Sequence, residues 1–478
     1  MIKDLYGMDY SDVVIGSGPC GYSAAKSIIA GGRHPLIIDF GETPEFESSR
    51  IEKTSSFAMK DDARRTTVFD YPRTLIASCD GDHLPLSSAR GGLSNIWGAG
   101  ILLRQGSEIP KLASVWSGIE IGYQRLLEAI PHVGAVDKTS NRFPWPIDTS
   151  RAPQSDRFRT TVEHLQKSDD GVLFGWPRVA LDNLGNSCIR CGGCLHGCPL
   201  NLFFSSRIML EKLAIEGLCT FLTGPALSIG RKSRKVWIQT PKHEIFSDRV
   251  FIAAGPIATP TLLQKSQLAP RDMTVRDSAV FYAGFLNSSV ASGSEADYTS
   301  SHLVAYSERA GEDDFQLAIY ESNPEYVARL AAMVPRLRPI IKVPSKLVSR
   351  INVGIGFLDS SISGSLRLRY SNGRTWVSRN NSPLVRSKAE SVLRRVASST
   401  KQYGLHAVPK FILIPPTGNG YHSGASMPMG EDLIEMNGSL KTTEGVYVVD
   451  ASVLPEIWAG SHTFTAMANA YRIVQEAI

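Results

Sequence analysis

Four cysteines stand within eleven residues, in the run Cys188-Ile-Arg-Cys191-Gly-Gly-Cys194-Leu-His-Gly-Cys198-Pro199, or C-x2-C-x2-C-x3-C-P. Thiolates are soft ligands, and gaps this short let one loop wrap several of them around a compact iron–sulfur core. Gly192 and Gly193 supply the backbone freedom that wrapping needs. The spacing is that of bacterial iron–sulfur loops, where a fourth cysteine serves a second cluster when two are present. With a single run, three arrangements stand open. Cys198 folds back as fourth ligand of a 4Fe-4S cluster, or three cysteines hold a 3Fe-4S cluster, or Cys219 contributes. Zinc fits less well, because structural zinc commonly uses two separated cysteine pairs. A loop of bare thiols is the remaining alternative. Crowding of this kind speaks against a disulfide framework and favours a reducing compartment.

A second constellation lies at Gly16-Ser-Gly18-Pro-Cys-Gly21, the spacing G-x-G-x-x-G, followed by Asp39. Gly16 permits a tight turn, Gly18 lets backbone approach a pyrophosphate, and Gly21 lets a helix pack closely on a sheet. The free N–H groups at the start of that helix attract phosphate, and Asp39 can accept hydrogen bonds from a ribose diol. The motif alone does not choose between NAD and FAD.

These residues need elements to hold them. Asp12-Val-Val-Ile reads as a strand, Tyr22 to Ala30 as a helix stopped by Gly31-Gly32, and Leu36-Ile-Ile-Asp39 as a second strand, which makes a βαβ unit. Residues 61 to 104 are rich in loops, and 110 to 220 show little periodicity. Short strands are expected over 218–255. Further strand-like runs fall at His302–Tyr306, Phe315–Tyr320, Ile351–Phe357 and Leu366–Tyr370. Helices are expected over Tyr326–Val334, Pro383–Tyr403 and from about Thr463.

The chain's 478 residues suggest two to three domains at roughly 150 residues each. A net charge of +5 is too mild to indicate a nucleic-acid binder. No stretch approaches the ~20 consecutive apolar residues of a membrane-spanning helix. The longest stretch without Asp, Glu, Lys or Arg, Phe411–Gly430, is interrupted by Pro415, Pro416 and Pro428. The N-terminus lacks a secretory pattern, so a cytoplasmic location is expected. The basic cluster Arg231–Lys235 reads as a solvated loop.

Four separated segments resemble the glucose–methanol–choline (GMC) family of FAD-dependent oxidoreductases. They are Gly16 to Asp39, Arg90-Gly-Gly-Leu-Ser-Asn-Ile-Trp-Gly98, Phe251-Ile-Ala-Ala-Gly-Pro-Ile-Ala-Thr-Pro-Thr-Leu-Leu263, and a C-terminal portion. The last contains Tyr421-His-Ser-Gly-Ala-Ser-Met-Pro-Met-Gly430, Val448-Val-Asp-Ala-Ser-Val-Leu-Pro455 and Gly460-Ser-His462. The family's usual His-x-x-Gly-Thr is replaced by His422-Ser-Gly-Ala-Ser426, and the central region offers no match.

The resemblance implies an α/β fold (α+β overall), with a Rossmann-like FAD-binding domain and an antiparallel-sheet substrate domain. The FAD domain is expected over 1–105, 221–270 and 416–478, a connecting segment with the cysteine loop over 106–220, and the substrate domain over 271–415. FAD contacts are expected from Gly16, Gly18, Gly21, Asp39, Gly91, Gly92, Ser94, Asn95, Ala254, Gly255, Asp450, Ala451, His462 and Thr463. It further implies oxidation of a CH–OH group, with His422 as base and His462 hydrogen-bonded to the substrate oxygen. Histidine suits both tasks because its pKa lies near neutrality. The family includes sugar dehydrogenases with a three-iron cluster, so Cys188, Cys191, Cys194 and Cys198 are expected to carry electrons away from FAD, toward an acceptor protein. A sugar, polyol or other secondary alcohol is the expected substrate. Some related dehydrogenases are exported with a signal-bearing partner, which leaves periplasmic residence open. The competing functions are a non-redox flavoprotein (isomerase or lyase), an electron-transfer or assembly protein, and an oxygen-using alcohol oxidase with structural cysteines.

Overall fold

The computed structural model describes residues 9–41, 67–81, 84–101, 116–134, 137, 139, 156–167, 171–182, 188–189, 194, 198, 200–288, 301, 303–307, 314–321 and 350–478. The expected helix at Tyr326–Val334 and Cys191 lie outside them.

The first unit is strand β1 (Asp9–Ile15), helix α1 (Pro19–Ala30) and strand β2 (Leu36–Asp39). Val13, Val14 and Ile15 are a β-branched run buried on both faces, as a central parallel strand requires. Pro19 starts α1, where its missing N–H costs nothing, and Gly32 at φ +73° follows its end. Next come β3 (Ile76–Ser78), α2 (Ile119–Ala129), α3 (Asp156–Leu165), β4 (Val172–Gly175) and α4 (Ser206–Ile215). Strands β5 (Thr220–Thr223), β6 (Ser228–Lys232), β7 (Lys235–Gln239) and β8 (Glu244–Ile252) precede α5 (Ala258–Lys265).

Among the described residues the next elements are strands: β9 (Asp272–Asp277), β10 (Val280–Asn287), β11 (Leu303–Ser307), β12 (Phe315–Tyr320), β13 (Ile351–Leu358), β14 (Ser365–Ser371) and β15 (Arg374–Asn380). Helix α6 (Leu384–Thr400), β16 (Leu405–Leu413), β17 (Ser423–Gly424), β18 (Val446–Val448) and α7 (Thr463–Ala477) complete the chain.

Among the described residues these strands form three sheets. The first has the order β5-β2-β1-β8-β7-β6, with β18 also on β8. Strands β5, β2, β1, β8 and β18 run parallel, and β6-β7-β8 is an antiparallel meander. Helix α7 lies against α1 and α2. Gly122 permits the α2 approach, since a Cβ there would sit 2.3 Å from Ala468 O. The buried Tyr123 hydroxyl donates to Thr465 Oγ1 at 2.7 Å.

The second sheet, β16-β10-β13-β12-β11-β4, is antiparallel throughout. One face packs on α6: Phe281, Phe285, Phe315, Leu317 and Ile319 share a core with Val385, Val392 and Val396. Gly354 and Gly356 open space on that face for the rings of Phe285 and Phe281. Because side chains alternate along a strand, Val280, Tyr282, Gln316, Ala318, Tyr320, Ile355 and Phe357 point the other way, into a cavity. The edge strand β4 comes from the segment 106–220, which the sequence treats as a connector. In the structure that segment supplies part of the sheet, together with helices α2, α3 and α4.

The third sheet, β17-β9-β14-β15-β3, joins the two parts of the molecule, since β3 belongs to the N-terminal portion and β17 directly follows His422.

Candidate active site

The C-terminal ends of β1 and β8 carry the glycine turns. Gly16 has φ +101°, and a Cβ there would lie 2.4 Å from Ala253 O. A Cβ at Gly21 would lie 2.0 Å from Gly16 O. Both positions therefore exclude side chains for reasons internal to the protein. Gly18 is different: it has ordinary φ of −64°, and a Cβ there would meet nothing within 4 Å. Gly92, from the second glycine-rich segment, faces the same open slot, its Cβ position nearest to Gly18 Cα at 3.8 Å. No side chain caps the N-terminus of α1. The slot thus combines uncapped helical N–H groups with room for a ligand to touch backbone, which fits a dinucleotide pyrophosphate.

Ser17, inside the first motif, ties the two segments together. Its Oγ accepts from Gly91 N and donates to Asp39 Oδ2, each at 2.8 Å. Ser17 N also donates to Asp39 Oδ2, and Gly41 N donates to Oδ1, both at 2.8 Å. Asp39 therefore holds the turn and keeps one acceptor position on Oδ1. Burial raises its carboxyl pKa, opposed by these hydrogen bonds and by Arg90.

Ser94 and Asn95 are buried and bonded to protein. Ser94 Oγ donates to Gly91 O at 2.7 Å, and Asn95 Nδ2 donates to Arg90 O at 2.9 Å and Gly92 O at 2.8 Å. Ser205 and Ser206 of the α4 start brace the same loop. Asp450 is likewise engaged: it accepts from Gly255 N, Thr259 Oγ1 and Ser452 N. It locks the β8 turn, including Ala254 and Gly255, to the short helix beginning at Ala451. Burial raises its pKa too. The structure gives Ser94, Asn95 and Asp450 the work of shaping the slot.

Beyond the slot lies a cavity of about 170 Å³. His422 lines it, and Phe357 stacks on the His422 ring with centroids 4.1 Å apart. The His462 ring stands edge-on to that of His422, 5.3 Å between centroids, and packs against Trp458. The cavity wall is made by its neighbours Ser461 and Thr463. His462 is buried, and desolvation lowers its pKa to about 4, so the ring is neutral at pH 7. Its Nδ1 has no hydrogen-bond partner among the described residues. His462 is also the N-cap of α7 with no side-chain cap bond, and Thr463, the first residue of that helix, lines the cavity. A buried unpartnered nitrogen next to free helical donors fits a polar ring system seated there.

The cysteine loop approaches this cavity. Cys194 and Cys198 line a second, smaller cavity together with Ser94, Asn95, Trp97 and Arg207. Trp97 lines both cavities and donates its indole N–H to Phe204 O at 2.8 Å. Tyr320 of the larger cavity has its phenol pKa raised, first by burial and then by the nearby Cys194 charge. Among the described residues no group of three or more potential ligands assembles around one point. Cys219 stands apart: its Sγ donates to Leu210 O at 3.8 Å, and burial pushes the thiol up to about 11.

Sequence reasoning missed Ser17, Trp97, Tyr282, Gln316 and Phe357. Ser17 could have been read from its place in the turn. Trp97 lies within the Arg90–Gly98 segment, and the other three lie on strands with no motif. No helix among the described residues is long and apolar enough to cross a membrane.

Residues 320–470 match the family described as GMC oxidoreductase. No curated protein sequence matches the chain. Among solved structures, pyridoxine 4-oxidase from Mesorbium loti aligns over 98% of this chain and 99% of its own, with a TM-score of 0.61 and 14% identity. The chain therefore carries a GMC oxidoreductase domain in its C-terminal part, on an α/β fold shared with pyridoxine 4-oxidase.

Proposed function

We infer that the protein is an FAD-dependent dehydrogenase that oxidises a CH–OH group of a sugar, polyol or other secondary alcohol to a carbonyl. The observation that carries this is the perpendicular His422–His462 pair, placed where the cavity meets an uncapped helix N-terminus. FAD, when bound, supplies the hydride acceptor. Gly16, Gly18, Gly21, Gly91, Gly92, Ala254, Gly255, Ala451 and Thr463 border its place, with Asp39 toward the ribose.

His422 takes the substrate hydroxyl proton. Phe357 holds the imidazole plane by stacking, so the ring is oriented before substrate arrives. Neutral His462 offers a hydrogen bond to the same oxygen, and its low pKa keeps it from competing for the proton. Tyr282, Gln316 and Asn419 offer polar contacts within walls made by Ile96, Val280, Val304 and Ile355, which suits a small hydroxylated substrate.

The same inference assigns Cys188, Cys191, Cys194 and Cys198 to an iron–sulfur cluster, which supplies a one-electron exit toward an external acceptor. The support is the ligand spacing and the shared wall at Trp97. The test is anaerobic mixing of the purified protein with a panel of alcohols and sugars, followed by flavin absorbance. Bleaching by at least one of them is expected, with little peroxide when oxygen is admitted. A flavin that none of them reduces overturns the assignment, and fast stoichiometric peroxide makes the protein an oxidase.

A further inference from the structure

The strap Gly418–Ser423 forms one side of the cavity through Asn419, Gly420, Tyr421 and His422. Its two ends converge on one side chain. Asp277, at the end of β9 and 1% exposed, accepts from Gly418 N through Oδ2 at 2.8 Å and from Ser423 Oγ through Oδ1 at 2.7 Å. The next residue continues the hold, as Ser278 N donates to His422 O at 2.8 Å. Ser423 is also paired to Asp277 in the sheet.

The strap is not relaxed. Tyr421, a bulky residue within it, has φ +58°. Strained conformations of this kind persist only where the surroundings over-determine them. We propose that Asp277 is a positioning residue, whose carboxyl group clamps both ends of the strap and thereby fixes the bearing of His422. This rests on His422 being the base.

Burial drives the Asp277 carboxyl up to about 7, against the hydrogen bonds from Gly418 and Ser423 and the charge of Arg379. A carboxyl group is costly to keep in such a place, which speaks for a structural task. An asparagine can keep the clamp. Its Oδ1 accepts from Gly418 N, and its Nδ2 donates to Ser423 Oγ once that hydroxyl turns to accept. An alanine keeps neither bond.

The test uses the FAD-loaded full chain and two readouts. Amide hydrogen exchange at Gly418 and Ser278 reports the clamp without reference to activity. Anaerobic flavin bleaching at saturating alcohol reports His422. Asp277→Ala is expected to speed exchange at both amides by about tenfold or more. It should slow bleaching by about tenfold or more with FAD retained. Asp277→Asn is expected to restore both most of the way. Ser423→Ala, which removes one arm only and spares the rest, should show a smaller change in the same direction. Unchanged exchange in both Asp277→Ala and Ser423→Ala overturns the clamp. So does faster exchange with normal bleaching, provided His422→Ala is slow, or an Asn variant as impaired as the Ala variant. If no alcohol bleaches the wild-type flavin, the function proposed for His422 falls, and exchange alone decides the clamp.

Discussion

The imidazoles of His422 and His462 stand at 88° to one another, 5.3 Å between centroids, although forty residues separate them in the chain. His422 arrives on the strap before β17, and His462 arrives as the first residue outside α7. The two differ in environment: His422 is half-buried on the cavity wall, and His462 is buried. Burial keeps the His462 ring neutral at pH 7, and His422 is the ring that reaches the cavity.

On the proposed mechanism, replacing His422 by alanine removes the base and leaves the glycine turns intact. The FAD content of His422→Ala should match wild type, and flavin reduction by substrate should slow by ~10²-fold or more. Stopped-flow absorbance under anaerobic conditions measures both. Reduction at the wild-type rate would remove His422 from the mechanism.

The buried His462 makes stability depend on pH in a definite direction. Its pKa falls from 6.5 to about 4 on folding. The unfolded chain therefore takes up this proton first as pH drops. The contribution is whole above pH 6.5 and is lost progressively toward pH 4, amounting to about 3 kcal/mol. Asp277 acts with the opposite sign, since its pKa rises from 3.8 to about 7, so folding is penalised as pH climbs through that interval. Urea unfolding between pH 4.5 and 7.5 separates the two. His462→Asn should flatten the loss at the acid side, and Asp277→Asn should gain most near neutrality. Parallel profiles for wild type and His462→Asn would contradict the assigned burial.

Gly18 discriminates a nucleotide slot from an ordinary strand–helix turn. Its backbone tolerates a side chain, and a Cβ would enter empty space. Gly18→Val should thus alter the stability of the FAD-free chain by about 1 kcal/mol or less and cut FAD affinity by about tenfold or more. Gly21→Val should damage the fold itself, because the Cβ would collide with Gly16 O. Flavin fluorescence titration with parallel thermal melts checks this. Undiminished FAD binding by Gly18→Val would mean that the pyrophosphate lies elsewhere.

The cysteine run makes a compositional prediction. Protein purified anaerobically should contain iron and acid-labile sulfide, with an EPR signal in one oxidation state. Cys194→Ser and Cys198→Ser should lose much of that iron, and Cys219→Ser should keep it, since Cys219 donates to Leu210 O away from the loop. Iron-free wild-type protein, or equal iron in all three variants, would leave the cysteines as bare thiols.

The glycine turns were legible in the residues, because their requirements are local. Gly16 needs a positive φ, Gly21 needs a missing Cβ, and both follow from neighbours a few positions or one strand away. The βαβ unit was legible from its apolar runs between glycine turns, and α6 from burial that repeats every three or four residues. β4 was not, because its place at the sheet edge is set by pairing with the distant strand β11.

What the residues settled without help was the set of chemical parts: a glycine turn before an acid, a cysteine loop, and histidines in recognisable surroundings. Folding in three dimensions decided their use. In β12, Phe315, Leu317 and Ile319 pack on α6, and Gln316, Ala318 and Tyr320 face the cavity. Alternation allows either assignment, and both sets are buried or nearly so. Only the layer on each side tells them apart. The meeting of His422 with His462, and of Asp277 with both ends of the strap, likewise depends on contacts between distant segments, and local sterics place no constraint on those.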